Sequence, residues 1–261
     1  MTTALYTHPS SLEHEPDRRH PESPKRIGAV EAALSAFAAL DRRAAPEATR
    51  EQLLLVHSAA HVDGVLGQVP DRGTVWLDPD TGLSPGSGRA ALHAAGAVVA
   101  AVDAVMAGTV DNAFCALRPP GHHAEPGRAM GFCLFNSVAI GAFHARAAHG
   151  LNRIAVVDFD VHHGNGTQAA FWNEPDFFYA STHQSPLYPG TGRPEERGVA
   201  DNILNVTLSP LSGSEAFRAA YEGTVLPALR RFAPEFLLIS AGFDGHRDDP
   251  LANLRLRTED F

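Results

Sequence analysis

Residues Arg153–Gln168 read RIAVVDFDVHHGNGTQ. The run RIAVVD (Arg153–Asp158) is apolar without alternation, the pattern of a parallel strand covered on both faces. Asp158, Asp160 and His162 follow at spacings of two, so an extended chain would turn all three to one side. Charged groups on a buried strand are costly unless they are paired or bind a metal. Two carboxylates and an imidazole suit Zn²⁺, Fe²⁺, Co²⁺ or Mn²⁺, and no cysteine stands nearby to close a structural zinc site. The bland alternative is a solvated turn at the end of a strand.

Toward the C-terminus, Phe178–Ser181 and Ile203–Leu208 read as strands, Ser214–Phe232 as an amphipathic helix and Phe236–Ser240 (FLLIS) as another buried strand. That last strand runs straight into Phe243, Asp244, Gly245 and His246. Asp244 is the natural third ligand, although a lone aspartate after a strand is often a helix cap. Three protein ligands leave one position open for water, as in a catalytic site.

Toward the N-terminus, Cys133–His149 predicts a helix, Ala113–Leu117 a strand and Gly88–Gly108 an Ala-rich buried helix. Residues 70–88, with Pro70, Pro79, Pro85 and their glycines, read as a long loop. Val62–Leu66 predicts a helical turn and Gln52–His57 a short apolar strand. Lys25–Leu40 predicts a helix after Pro24, with Ile27, Val30, Leu34 and Phe37 at helical spacing. Residues 1–26, with Pro9, Pro16, Pro21 and Pro24, read as an opening loop. No repeat and no linker divides the chain. The expectation is one α/β domain over residues 1–261, with a mainly parallel sheet and helices on both faces. Ligands in such sheets sit at the carboxyl ends of the strands.

A second motif, RPPGHHA (Arg118–Ala124), follows the strand AFCAL. Two prolines stiffen it, Gly121 lets it turn, and His122 and His123 are adjacent on it. Adjacent histidines are usually surface accidents. At a strand end beside a metal site they become candidate acid and base, since imidazole titrates near neutral pH. Asp158 could then orient one of them rather than serve as a ligand. Gly131 and Phe132 in GFCLFNS, and Tyr188 in SPLYPGTG, could each be plain core or loop residues. His8, His14, His20, His57, His61, His93, His144 and His149 read as surface or satisfied core histidines. GLSPGSG (Gly82–Gly88) lacks the lysine-serine ending of a phosphate loop.

Composition narrows the classes further. The 261 residues are 44% hydrophobic and 20% charged, which excludes a disordered or low-complexity chain. A net charge of −9 disfavours nucleic acid as a partner, because phosphate binding needs a basic face. Ala90–Val102, free of charge, is short of the roughly 20 residues that span a bilayer, so no membrane partner is expected. The start, MTTALYTHPSSLEHEP, lacks the order of a secretory signal. Two cysteines, Cys115 and Cys133, make no disulfide framework, and a cytoplasmic location is expected.

Taken in order, RPPGHHAEP, GFCLFNS, VDFDVHHGNGTQ, STHQSPLYPGTG and SAGFDGHRDDPL resemble the zinc-dependent histone deacetylase and acetylpolyamine amidohydrolase family, from about Pro21 to the last residue. The resemblance implies an arginase-like α/β fold with an eight-stranded parallel sheet between helices. It implies hydrolysis of an N-acetyl amide on lysine or a polyamine, and an acetylated lysine peptide or protein, or an acetylated polyamine, as partner. Asp160, His162 and Asp244 match the zinc ligands. His123 matches the base that activates water and then protonates the leaving amine; His122, pinned by Asp158, acts electrostatically. Asn165 stands where class I members carry aspartate and resembles class II, a neutral partner that leaves His123 easier to deprotonate. Gly131, Phe132 and Tyr188 match the channel that grips the lysine stem. A potassium ion is implied at Asp158, Asp160, Ser181 and the backbone of His162 and Thr182. A homo-oligomer is compatible with the sequence.

Two departures from the family pattern matter. Its glycine-glycine-tyrosine motif, whose hydroxyl helps hold the oxyanion, has no counterpart among Tyr6, Tyr179, Tyr188 and Tyr221. A C-terminally incomplete catalytic domain is therefore expected, and one missing oxyanion donor typically costs roughly 10²–10³ in rate. An acyl-lysine binder without turnover is the corresponding non-enzyme alternative. Secondly, polyamine-selective members carry a glutamate where this chain has Leu251, in DDPL, which favours acyl-lysine over a polycation. An arginase-like ureohydrolase needs two bridged metal ions, and His163 and Asn165 leave the second short of ligands.

Overall fold

The computed structural model describes residues 1–17 and 19–261, which separate into two compact units, Met1–His149 and Gly150–Phe261. In the first unit, β1 (Thr3–Thr7), α1 (Pro24–Leu34), β2 (Asp41–Ala44), α2 (Arg50–Leu53) and α3 (Ala59–Gly67) precede the two short strands β3 (Val75–Trp76) and β4 (Gly82–Leu83). Then come α4 (Ser87–Met106), β5 (Asn112–Cys115) and α5 (Ser137–His149). A three-stranded parallel sheet has the order β2-β1-β5, while β3 and β4 pair antiparallel within the proline-rich 70–88 loop.

Four local expectations are corrected in this unit. The opening segment contributes the central strand β1, whose Ala4, Leu5 and Tyr6 are buried. The helix expected to reach Leu40 ends at Leu34, and the chain then turns through residues 35–40 before Asp41–Ala44 joins β1 as an edge strand; Val30 and Phe37, expected on its apolar face, are exposed. Gln52–His57 is not a strand. Thr49 and Gln52 form a reciprocal capping box: the Thr49 hydroxyl accepts the Gln52 amide at 3.3 Å, and Gln52 Oε1 accepts the Thr49 amide at 2.8 Å. That device starts a helical turn regardless of the apolar run that follows. Finally, α5 begins at Ser137 rather than Cys133, where Asn136 Oδ1 accepts the Ala139 amide at 3.1 Å.

Helix α4 is an Ala-rich core element whose Ala90, Ala95, Ala97 and Val102 are buried. At 20 residues it is long and apolar enough to cross a membrane by length and composition, yet 61% of that stretch is buried inside the protein. Small side chains permit the closeness: a Cβ on Gly96 would overlap the backbone of Pro46 and Ala48.

In the second unit, β6 (Ile154–Asp158), α6 (Asn165–Phe171), β7 (Phe177–Gln184) and β8 (Ile203–Leu208) lead to α7 (Ser214–Ala220), a π turn (Tyr221–Val225), α8 (Leu226–Phe232) and β9 (Phe236–Ser240). All four strands are parallel, in the order β8-β7-β6-β9. Every residue of β6 and β7 is buried, as the apolar run of β6 requires, and in β7 the burial extends to the polar Ser181–Gln184. The expected helix Ser214–Phe232 is continuous but widens at the π turn, just before Pro227, which has no amide hydrogen to give the preceding turn. The register sets Asp158 opposite Ser181 on one side and Ser240 on the other. Chain segments leaving β6 and β9 therefore start as neighbours at the carboxyl end of the sheet.

Candidate active site

The second unit holds the carboxylate–imidazole group. Beyond Asp158 the chain makes one more rung, Phe159 N–H to Ser240 O at 3.2 Å, and then bends. Asp158, Asp160 and His162 consequently do not share one extended face, as their spacing of two suggests. Asp158 is fully buried; its Oδ2 accepts the Tyr179 hydroxyl at 3.0 Å and its Oδ1 the Asp160 amide at 3.1 Å. Asp160 and His162 turn instead toward Asp244, which follows β9. His162 Nδ1 lies 2.9 Å from Asp244 Oδ2 and 3.2 Å from Asp160 Oδ1. Asp244 Oδ1 accepts the Val161 amide at 2.9 Å, and Asp160 Oδ1 accepts the His162 amide at 2.9 Å. A Cβ on Gly242 would overlap the Asp160 carboxylate, so only glycine lets this strand end come so near.

Ligand atoms of Asp160, His162 and Asp244 all lie within 4.8 Å of one another, close enough to hold one metal ion. The electrostatics ask for a positive charge there. Burial, and next the Asp160 charge, push the Asp244 carboxyl up to about 6. Burial disfavours charge on His162, but hydrogen bonds and charges from Asp160 and Asp244 prevail and raise it to about 10. Without a metal, a proton on the imidazole supplies the charge that two crowded carboxylates need. Two oxygens and a nitrogen with partial solvent access fit a zinc-type cation that keeps an open position.

Around this group, Tyr188 is partly exposed with its ring centroid 6.3 Å from that of His162, edge to face. Leu251 is partly exposed, and its amide donates to Asp249 Oδ1 at 2.9 Å. Asn165 is buried as the first residue of α6. Ser181 and Thr182 are buried on β7; Ser181 Oγ lies 2.9 Å from His183 Nδ1, and Thr182 Oγ1 3.3 Å from the Tyr221 hydroxyl. His163 is a core histidine, held by Thr191 Oγ1 at 2.8 Å and Gln168 Oε1 at 3.0 Å.

The first unit holds the tandem-histidine group. His122 and His123 are buried with ring centroids 4.0 Å apart. Gly121 is required: a Cβ there would stand 2.8 Å from both Phe135 O and Ser137 N. The loop is anchored at its root by Arg118, whose Nε and Nη2 each donate to Glu22 at 2.5 Å, and whose Nη1 donates to Ser11 O. Behind His123 lies Gly131 (φ +57), where a Cβ would overlap the imidazole. Phe132 is also left-handed (φ 68). Asp80 Oδ1 accepts the Gly131 amide at 3.2 Å and Thr81 Oγ1 the Phe132 amide at 3.0 Å, while His20 meets the Phe132 ring edge-on at 4.6 Å.

Glu22, Asp80, Thr81 and Tyr179 had no motif to mark them. Glu22, Asp80 and Thr81 sit in proline-rich segments that read as loops. The signal for Tyr179 is its place after Phe177 and Phe178 in a buried strand, since a buried phenol needs a partner.

Of the eight set aside, His14, His57, His61 and His93 are buried and hydrogen-bonded. His144 and His149 both meet Asp103.

Comparison with known proteins places this geometry. The family model for the histone deacetylase domain matches residues 20–261. A histone deacetylase-like amidohydrolase of Pseudomonas aeruginosa is 41% identical over 92% of this chain and 64% of its own length. Histone deacetylase 14, chloroplastic, of Arabidopsis thaliana is 38% identical over 98% of this chain and 66% of its own. The chain thus spans just under two thirds of these relatives. A solved structure, the crystal structure of the HDA15 HD domain, superposes with a TM-score of 0.94 at 36% identity, over 99% of this chain and 76% of that one. With parallel strands, buried tandem histidines and a two-carboxylate, one-imidazole cluster at the strand ends, the chain belongs to the histone deacetylase family.

Proposed function

We propose that this chain hydrolyses an N-acetyl amide, acetyl-lysine in a peptide or protein, and that one zinc ion is held by Asp160, His162 and Asp244. The observation that carries this is the convergence of those three side chains where β6 and β9 end, with two carboxylates crowded enough to demand a cation. Zinc bound there supplies the positive charge that polarises an amide carbonyl and makes water a better nucleophile.

The chain's own groups do the rest. His123 takes one proton of the attacking water and passes it to the leaving amine nitrogen, so that lysine departs as a neutral amine and acetic acid remains, which then ionises to acetate. His122, its ring centroid 4.0 Å from that of His123, adds positive character beside it. Asn165, where class I relatives carry aspartate, is neutral and so adds no negative charge that would favour a proton on the base. Phe132 and Tyr188 are the aromatic side chains that the family resemblance assigns to gripping the aliphatic lysine stem. The potassium position is assigned to Asp158, Asp160, His162, Ser181 and Thr182.

Leu251, partly exposed and apolar, offers a polycation no counter-charge, which supports acyl-lysine over acetylpolyamine. Parallel assays with an acetyl-lysine peptide and acetylspermidine test the choice. The peptide is expected to be turned over with the higher kcat/KM, and Leu251→Glu to shift the ratio toward acetylspermidine. Preference of the unaltered chain for acetylspermidine would overturn it.

A further inference from the structure

A second cluster of metal-ligating side chains lies on the first unit, within α4 and α5. Asp103 stands in the last turn of α4, and His144 and His149 in the last two turns of α5. Both imidazoles aim the same nitrogen at the same atom: His144 Nε2 and His149 Nε2 each lie 2.7 Å from Asp103 Oδ1. Their ring planes are almost perpendicular, 83°, with centroids 5.8 Å apart, so the two nitrogens approach from different directions.

An ordinary helix-to-helix ion pair needs only one imidazole. Here a single carboxylate oxygen is the focus of two, and the three ligand atoms all lie within 4.8 Å. A tetrahedral cation bound at about 2.0–2.2 Å to two imidazole nitrogens and one carboxylate oxygen needs these atoms to spread by only roughly half an ångström. The carboxylate side chain is half-exposed (51%) and His149 partly so (24%), which leaves room for that movement and a route from solvent. Asp103 and His149 both sit at helix C-termini, whose unpaired carbonyls favour a cation.

We propose that Asp103, His144 and His149 form a second divalent transition-metal site, taking zinc, which clamps the C-terminal ends of α4 and α5 and keeps one coordination position open. The site is independent of the proposed catalytic centre and does not rest on it. Nothing in the hydrolytic chemistry uses these residues.

The test is zinc content per full chain after dialysis against a weak chelator, read by metal analysis, with thermal melts in parallel. The unaltered chain is expected to retain two zinc ions. His144→Gln/His149→Gln is expected to retain one, to lose the zinc-dependent rise in Tm that this site gives, and to keep acetate release unchanged. Asp103→Asn, which preserves size and a hydrogen-bond acceptor, serves if the double variant fails to fold, and should also lose one zinc. Zinc content equal to that of the unaltered chain in a folded variant at these positions would overturn the proposal. So would a single zinc that disappears in Asp160→Ala. A single zinc that survives in Asp160→Ala and is lost in His144→Gln/His149→Gln would support this site and count against the proposed catalytic centre.

Discussion

His162 Nδ1 lies 2.9 Å from Asp244 Oδ2, although 82 positions separate the two residues. The pairing exists because β6 and β9 are hydrogen-bonded neighbours that end in register, Asp158 against Ser240. It follows that either carboxylate should be needed for metal retention at this site. Asp160→Ala and Asp244→Ala are each expected to reduce zinc content by one per chain and to abolish acetate release. Gly242→Ala should act the same way without removing a ligand, because its methyl group would displace the Asp160 carboxylate. Metal analysis of the folded variants checks all three; full zinc in Gly242→Ala would show that the close approach is not required.

The Arg118–Glu22 pair carries the root of the tandem-histidine loop and is almost fully buried, with side chains 5% and 2% exposed. Removing one partner leaves an uncompensated buried charge, which typically costs roughly 3–5 kcal/mol. Arg118→Met is expected to lower stability by that order in urea unfolding. Arg118→Met combined with Glu22→Leu should recover a large part of the loss, since no charge then remains in the interior. A double variant as unstable as the single one would contradict the charge argument.

Acid should weaken the first unit through His14 and His57. Burial, opposed by Glu22 and aided by Arg118, lowers His14 to about 4. Burial and then the His61 charge lower His57 to about 3. His57 is committed to the neutral form, because its Nε2 accepts the Asn136 amide at 2.9 Å. The unfolded chain binds these protons near the ordinary histidine value of about 6.5, so it gains on the native state as pH falls. Stability is therefore intact above about 6.5 and is lost as pH drops from there toward about 4. For His14 alone the loss is on the order of 3 kcal/mol. Unfolding free energies measured from pH 7 to pH 4.5 check this; a flat profile would contradict it.

Strand β9 ends the four-stranded sheet, and Leu237 and Ile239 on it are exposed at 44% and 56%, near the exposed Phe243. An apolar edge of this kind templates association between chains. Ile239→Lys is expected to raise the soluble, monodisperse fraction of this chain in light scattering at constant concentration. No change, or more aggregation, would locate the liability elsewhere.

Much of this arrangement is legible in the sequence. Apolar runs without alternation, such as Ile154–Val157 and Phe236–Ile239, read as strands, and the carboxylates just after them fall at the sheet's carboxyl end; β6 is buried throughout as expected, whereas β9, expected to be buried, is the last strand of its sheet and leaves Leu237 and Ile239 exposed. The parts that escaped depend on partners distant in sequence. Asp41–Ala44 is a strand only because β1 offers it hydrogen bonds. The Gln52–His57 run starts in the short helix α2 and continues as turns, set by a two-residue capping device that outweighs its apolar content. The loops around Pro16–Glu22 and Asp78–Thr81 looked like connections, yet Glu22, Asp80 and Thr81 fix the histidine and Phe132 segments by hydrogen bonds to backbone and guanidinium. The convergence of His144 and His149 on Asp103 required the register of two helices, which no periodicity specifies.

Acetate release from an acetyl-lysine peptide by the zinc-loaded chain, beside its Asp160→Ala variant, tests the central claim most directly. The account predicts turnover by the unaltered chain, blocked by a hydroxamate, and none by the variant. Equal rates in the two, or a chain that retains zinc at Asp160, His162 and Asp244 and releases no acetate, would contradict it.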